Sequence, residues 1–226
     1  MSSDSTRHLY ETLGIEYQCL DTNGEHGALT LDLNFDETPK EHKLQYGLTT
    51  NLGTTEHLIN QQNAFKVAHD LTRVDGLILH AVPFHGHINH GFFNYQPCLF
   101  ESLARFNSYE ILGMWVGISG DTSIMIPWEK DLMKCITLPP GGKCIIIVLF
   151  RRMNDLDFCV PFQGVYEHLQ DKAAIARYTY NVDGEYVNGA RNFYVTSKGS
   201  KLQQIPGRAL VREILRRAKI RLFGQD

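Results

Sequence analysis

The chain has 226 residues, 43% hydrophobic and 21% charged, with a formal net charge of -3. That length supports one sizeable core, one domain with an appendage, and the composition is ordinary for a globular protein. The slight negative charge argues against nucleic-acid binding by the whole surface, and no apolar run approaches the ~20 residues that cross a bilayer.

The spacing predicts a short helix over 6–13, closed by Gly14, then a strand over 15–20 that ends at Asp21. The turn TNGEHG leads to a second extended run over 28–33, ending in Asp32-Leu33-Asn34. After Pro39 the stretch 46–63, YGLTTNLGTTEHLINQQN, reads as strand, glycine turn and helix. Threonines mixed with Tyr46, Leu48 and Leu52 suit a strand. Thr54 or Thr55 is placed to cap the helix, with Glu56 in its positive first turn. Leu58, Ile59, Phe65, Ala68 and Leu71 recur at helical spacing, which predicts a helix over 55–72. Asn51, Thr54, Thr55, Glu56, His57, Asn60 and Gln61 are more polar residues than a plain connector needs.

Asp75-Gly76 reads as a turn, and 77–82, LILHAV, as a strand covered on both faces. Strand, helix and strand imply a βαβ crossover and a parallel sheet. The C-terminal strand ends of such a sheet line its binding crevice, where an acid can grip a ribose diol. Residues 83–97 form a loop rich in His, Asn, Gly and aromatics. A helix over 97–106, a strand over 109–118 and a short helix over 128–136 follow. Pro139-Pro140-Gly141-Gly142 turns the chain into its most apolar strand, 144–150, expected antiparallel to its predecessor at one edge of the sheet. Beyond it, 158–166 is expected extended, 171–178 helical and 184–207 a loop or flap. In the last helix, 206–223, Leu210, Val211, Ile214, Leu215, Ala218 and Leu222 make one stripe. Arg208, Arg212, Arg216, Arg217, Lys219 and Arg221 cover the remainder. The stripe is expected to pack on the domain; contact with an anionic membrane surface is the alternative.

Cys19, Cys98, Cys135, Cys144 and Cys159 are odd in number and show no C-x-x-C spacing, which fits reduced thiols in a cytoplasmic protein. The opening MSSDSTRHLYE has no apolar signal-peptide core.

Taken together, Tyr17-Gln18-Cys19-Leu20-Asp21, Asp32-Leu33-Asn34, Thr50-Asn51-Leu52-Gly53-Thr54-Thr55-Glu56-His57 and Asn89-His90-Gly91-Phe92-Phe93-Asn94-Tyr95 resemble the class I S-adenosylmethionine-dependent methyltransferases. The likeness is greatest to a bacterial subgroup with TNxGTTEH and NHGFxNYxP strings, and it covers about residues 6–152. It implies an α/β, Rossmann-like sheet, mostly parallel with an antiparallel edge strand. The family's opening strand and glycine-rich turn are not found ahead of the first helix. The sheet is therefore expected to lack its first central strand, a gap that a partner chain can cover. The organisation implied is a methyltransferase domain over 1–152, an irregular extension or flap over 153–205 and the basic helix over 206–226.

The resemblance implies roles residue by residue. Asp21 accepts the ribose hydroxyls of S-adenosylmethionine. Asp32 takes the adenine amine and Leu33 packs on the ring. Asn51, Leu52 and Gly53 line the methionine end. Glu56 and His57 stand at the mouth of the acceptor pocket, under the loop 85–95. Methyl transfer needs in-line alignment and dryness, and a base only where the acceptor must lose a proton; His57 and His90 are the candidates. Glu56 is the lesser one. The implied reaction is methylation of a small or sugar-like acceptor. Two other classes stay open: a non-catalytic scaffold of the same fold, and a metal-dependent enzyme using His85, His87 and His90 with Glu56 or Asp32 as oxygen ligand.

Overall fold

The computed structural model describes residues 3–119, 124–132 and 141–163. Among them are the helices α1 (Ser3–Thr12), α2 (Gln61–Leu71) and α3 (Pro97–Phe106). The strands are β1 (Leu20–Asp21), β2 (Leu29–Thr30), β3 (Tyr46–Leu52), β4 (Thr72–His85), β5 (Tyr109–Ser119), β6 (Ile124–Pro127) and β7 (Lys143–Arg152).

The main sheet runs β3-β4-β7-β5-β6. The strands β3 and β4 are parallel, whereas β4–β7, β7–β5 and β5–β6 are antiparallel. The α/β class expected from the sequence is therefore present, but the mostly parallel sheet is not. The cause is β7, which inserts between β4 and β5 instead of lying at an edge. Cys144, Ile146, Val148 and Phe150 of β7 are buried on one face of the sheet and Leu149 on the other. A strand with apolar side chains for both faces belongs in the interior of a sheet. Two successive antiparallel pairings restore direction, so β3, β4 and β5 still point the same way. The carboxyl ends of β3 and β4 accordingly share one edge.

Helices α2 and α3 carry the crossovers β3–α2–β4 and β4–α3–β5. Both pack on the same face, where Phe65, Phe100, Leu103 and Ala104 meet Ile78, Val82, Val116, Ile146, Val148 and Phe150. Pro97 opens α3 with its φ already helical. Phe100 is fully buried, and truncating such a side chain to Ala costs about 3–5 kcal/mol. The opposite face is smaller: Met125 and Leu149 with the half-buried Leu77, Leu79, Leu112, Trp115 and Ile147.

Several local expectations change. The helix expected over 55–72 begins at Gln61, after a single 3-10 turn at Thr55–His57. Its cap is Asn60, whose side chain accepts the Asn63 N–H at 3.1 Å, and not Thr54 or Thr55. Asp75-Gly76 is a bulge inside β4 and not a turn. Tyr46 pairs with Thr72 and Leu48 with Leu77, so residues 73–76 oppose Gly47 alone, and Asp75 takes the left-handed φ of 60° that such a bulge needs.

The strands expected over 15–20 and 28–33 shrink to the two-residue parallel pair β1–β2, set apart from the main sheet. Residues 32–36 instead fold as a tight turn docked on α2. Asn34 Oδ1 accepts the N–H groups of Ile59 (3.0 Å) and Asn60 (3.2 Å), and Asn63 Nδ2 donates to Leu33 O and Asp36 O. A helix start leaves backbone donors without partners, and this turn supplies acceptors for that end of α2.

Residues 153–163 carry no helix or strand, yet they belong to the core. Buried Arg152 donates to the carbonyls of His69, Thr72, Asn154 and Leu156. Asn107 and Cys159 exchange a pair of hydrogen bonds, 2.7 and 3.0 Å. Cys19, Cys98 and Cys144 are free thiols. No helix among the described residues is long and apolar enough to cross a membrane. The first half of the turn at 139–142, most of the helix expected over 128–136, and the elements expected beyond 163, including the basic helix, lie outside the described residues.

Candidate functional site at the carboxyl edge of β3 and β4

The turn after β3 is held by a polar network. Asn51 is buried; its Nδ2 donates to Thr55 Oγ1 at 2.9 Å and to His80 Nδ1 at 3.1 Å, and its Oδ1 accepts the Thr55 N–H. The Tyr95 hydroxyl bridges Thr55 Oγ1 (2.9 Å) and Gln61 Oε1 (2.7 Å), and Gln61 Nε2 donates to Thr55 O (2.7 Å). This is where most of the polar excess of the stretch 46–63 goes. It ties the turn to β4 through His80, to the loop after β4 through Tyr95, and to α2 through Gln61. Burial drives the His80 imidazole down to a pKa of about 3, so it is neutral and able to accept. Burial likewise raises the Tyr95 phenol to about 12, keeping it a donor.

Gly53, at φ 75°, reverses the chain, a conformation that glycine adopts without a Cβ penalty. Glu56 is thereby turned inward and is 1% exposed. Its carbonyl accepts the N–H groups of Phe92 (2.8 Å) and Phe93 (3.3 Å). The Cα of Gly91 lies so close that a Cβ there would stand 2.9 Å from Glu56 O and 3.0 Å from Glu56 Cγ. Asn89, with a left-handed φ of 57°, sets up this approach. The strings TTEH and NHGFFNY are thus interlocked through the backbone, and Tyr95 N–H closes the second loop on Pro83 O at 2.8 Å.

The interlock brings together Glu56, His57 and His90. Glu56 Oε1 lies 3.9 Å from His57 Nε2 and 3.7 Å from His90 Nε2, and each imidazole is about half exposed. Neither distance is a hydrogen bond, and among the described residues neither Glu56 oxygen has a hydrogen-bond partner. The His57 and His90 rings meet edge-on, centroids 5.3 Å apart, and the His87 ring lies 5.4 Å from that of His90. His87 Nε2 is buried without a partner. Burial lowers the His87 pKa, and the charges of His90 and Lys143 lower it further.

Of the other expected site residues, Leu52 and Gly53 are exposed at the end of β3. Asn51 points inward and its side chain is committed to Thr55 and His80, so it is a structural anchor and not a lining group. Asp21 is exposed, its Oδ1 accepting the Asn23 N–H at 3.2 Å. Asp32 Oδ1 accepts the Asn34 N–H at 2.9 Å, which makes it a turn-forming acid. Asp32 and Leu33 still come to the N-terminal end of α2 through the Asn34 contacts, and Asp21 O accepts the Leu31 N–H (3.3 Å) just ahead of them. The histidine set His85, His87 and His90 does not assemble as a metal-capable group, and Asp32 is not part of one. Among the described residues that group is Glu56, His57 and His90.

Sequence reasoning offers Phe92 as stacking surface for an acceptor but misses the exposed Phe35, Ile59 and Ile88. Phe35 (83% exposed) stands out from the turn 32–36, Ile59 (67%) from the residues after TTEH, and Ile88 (89%) and Phe92 (67%) from the residues before and within NHGFFNY. Large apolar side chains interrupting polar strings were the available signal. Exposed apolar groups gathered around a polar centre mark a binding surface.

No protein-family model and no curated protein matches this chain.

Proposed function

We propose that the carboxyl edge of β3 and β4 is the acceptor end of an S-adenosylmethionine-dependent methyltransferase site. The observation that carries this reading is the interlock of the TTEH and NHGFFNY strings around buried Glu56, on the edge where parallel helix-linked strands bind ligands. The common direction of β3, β4 and β5 supports it, as do the exposed Asp21, Leu52 and Gly53. Asn51 does not fit the cofactor role its position suggested; its part is to hold the turn. When bound, the cofactor supplies an electrophilic methyl group on a sulfonium. The chain supplies alignment and exclusion of water. Phe92, Ile88 and Ile59 offer apolar surface to an acceptor, and the polar Glu56–His57–His90 group faces its reacting oxygen or nitrogen. The acceptor class that suits this lining is a small molecule with both an apolar face and a hydroxyl or amine.

Calorimetric titration of the full chain with S-adenosylmethionine and S-adenosylhomocysteine tests the reading. Saturable binding of both is expected. Absence of heat at millimolar cofactor refutes it and leaves the scaffold reading.

A further inference from the structure

We infer that Glu56, His57 and His90 form a binding site for one divalent transition-metal ion of the zinc class. The inference stands on these side chains alone and holds whether or not the chain binds S-adenosylmethionine.

The first support is the state of Glu56. A carboxylate that is 1% exposed carries a large desolvation penalty, and neither of its oxygens is hydrogen-bonded. Such a group needs a cation or a set of donors. Among the described residues no donor hydrogen-bonds to it; the imidazoles of His57 and His90 stand 3.9 and 3.7 Å away. It fixes the Glu56 backbone through Phe92 and Phe93 and packs Gly91 against its side chain. The carboxylate is therefore held in place by contacts that do not use its charge.

The second support is the spacing. Donor atoms of the three residues lie within 4.8 Å of one another, with Oε1–Nε2 separations of 3.7 and 3.9 Å. Two metal–ligand bonds of about 2.1 Å at a tetrahedral angle put donor atoms ~3.4 Å apart. The three atoms are thus too far apart to hydrogen-bond and close enough to share an ion after a shift of a fraction of an ångström to ~1 Å. His57 and His90 are half exposed and free to make that shift, while Glu56 is the fixed point.

The ligand set decides the ion. Two imidazoles and one carboxylate suit zinc, cobalt, nickel or ferrous iron, whereas magnesium and calcium take oxygen ligands. Three protein ligands leave at least one coordination position for water or a substrate atom. His87, with its buried Nε2 unpartnered and its ring beside His90, is the neighbouring group placed to orient a ligand.

The test uses the full chain stripped with a chelator and dialysed. Zinc is titrated calorimetrically, and cobalt is followed by its visible absorption. One equivalent is expected to bind, with a four- or five-coordinate cobalt spectrum and millimolar magnesium failing to compete. Replacing even an outer-shell partner costs 10–100-fold in affinity, so Glu56→Gln, His57→Ala and His90→Ala should each weaken zinc by ~100-fold or more. His85→Ala should leave it unchanged. His57 and His90 are surface residues, so their variants decide the question even where Glu56→Gln fails to fold by circular dichroism. Failure to bind zinc or cobalt overturns the inference. So does one equivalent that His57→Ala and His90→Ala leave in place, because the ion then sits elsewhere. Cofactor titration is a separate measurement, so either proposal can fail without the other.

Discussion

Acid should unfold this protein through two buried histidines, one of which anchors the candidate site. His80 is enclosed by the rings of Phe65, Phe100 and Phe150, and burial lowers its pKa from 6.5 to about 3. His69 is hydrogen-bonded to the Tyr109 hydroxyl and Leu156 O; burial first, then the Arg152 charge, lowers it to about 4. Both folded values lie below the unfolded one, so between them the unfolded chain binds more protons. Stability is then complete above pH 6.5 and is lost as pH falls toward 4 and 3. At pH 4.5 an imidazole with an unfolded pKa of 6.5 is ~100-fold protonated over neutral. Each residue thus withdraws about 2.6 kcal/mol, ~5 kcal/mol together, against a total of about 5–15 kcal/mol for a typical domain. Urea unfolding followed by tryptophan fluorescence at pH 7.5, 6, 5 and 4.5 measures this. His80→Leu should remove about half of the slope between pH 6.5 and 4.5. It should also cost about 1–3 kcal/mol at neutral pH, because Asn51 Nδ2 loses an acceptor. A stability that stays flat from pH 6.5 to 4.5, or a slope that His80→Leu leaves intact, refutes the reasoning.

Other expected outcomes follow from single contacts. Gly91→Ala places a Cβ 2.9 Å from Glu56 O; it should lower stability by about 1–3 kcal/mol and weaken zinc binding, as read by urea titration and calorimetry. Arg152→Met removes the donor to four carbonyls in the buried layer under 153–157. It should cost ~3 kcal/mol or more, seen as a lower urea midpoint. Asp21→Ala should weaken S-adenosylmethionine severalfold or more without moving the urea midpoint, since Asp21 is exposed; unchanged cofactor affinity would remove Asp21 from the ribose role.

The sequence told much about elements and less about their arrangement. Helix α3 was legible to the residue from Pro97 and the spacing of Leu99, Leu103 and Phe106, although the face it buries is that of Phe100, Leu103 and Ala104. The strands β3, β4, β5 and β7 were legible from apolar runs. The place of β7 was not, because an interior antiparallel strand and an edge strand differ in what lies beside them, which periodicity does not encode. The runs 15–20 and 28–33 have strand composition, but only Leu20–Asp21 and Leu29–Thr30 pair, and the residues after β2 fold as a turn on the start of α2. The polar string 51–61 reads as excessive for a connector. Yet Asn51, Thr55 and Gln61 are there to hold the turn, and only the structure separates them from Glu56. The pairing of His57 with His90, 33 residues on, depends on Gly91 packing against Glu56. That long-range contact also explains why His85, nearer to His90 in sequence, is not in the cluster.

Hydrogen–deuterium exchange of the full chain with and without S-adenosylmethionine tests the central claim most directly, because it reports where a cofactor sits. Slower exchange is expected in 20–22, 32–36 and 51–57, the segments that carry the proposed cofactor residues. Binding that protects other segments and leaves these three unchanged, or no protection anywhere at millimolar cofactor, would contradict it.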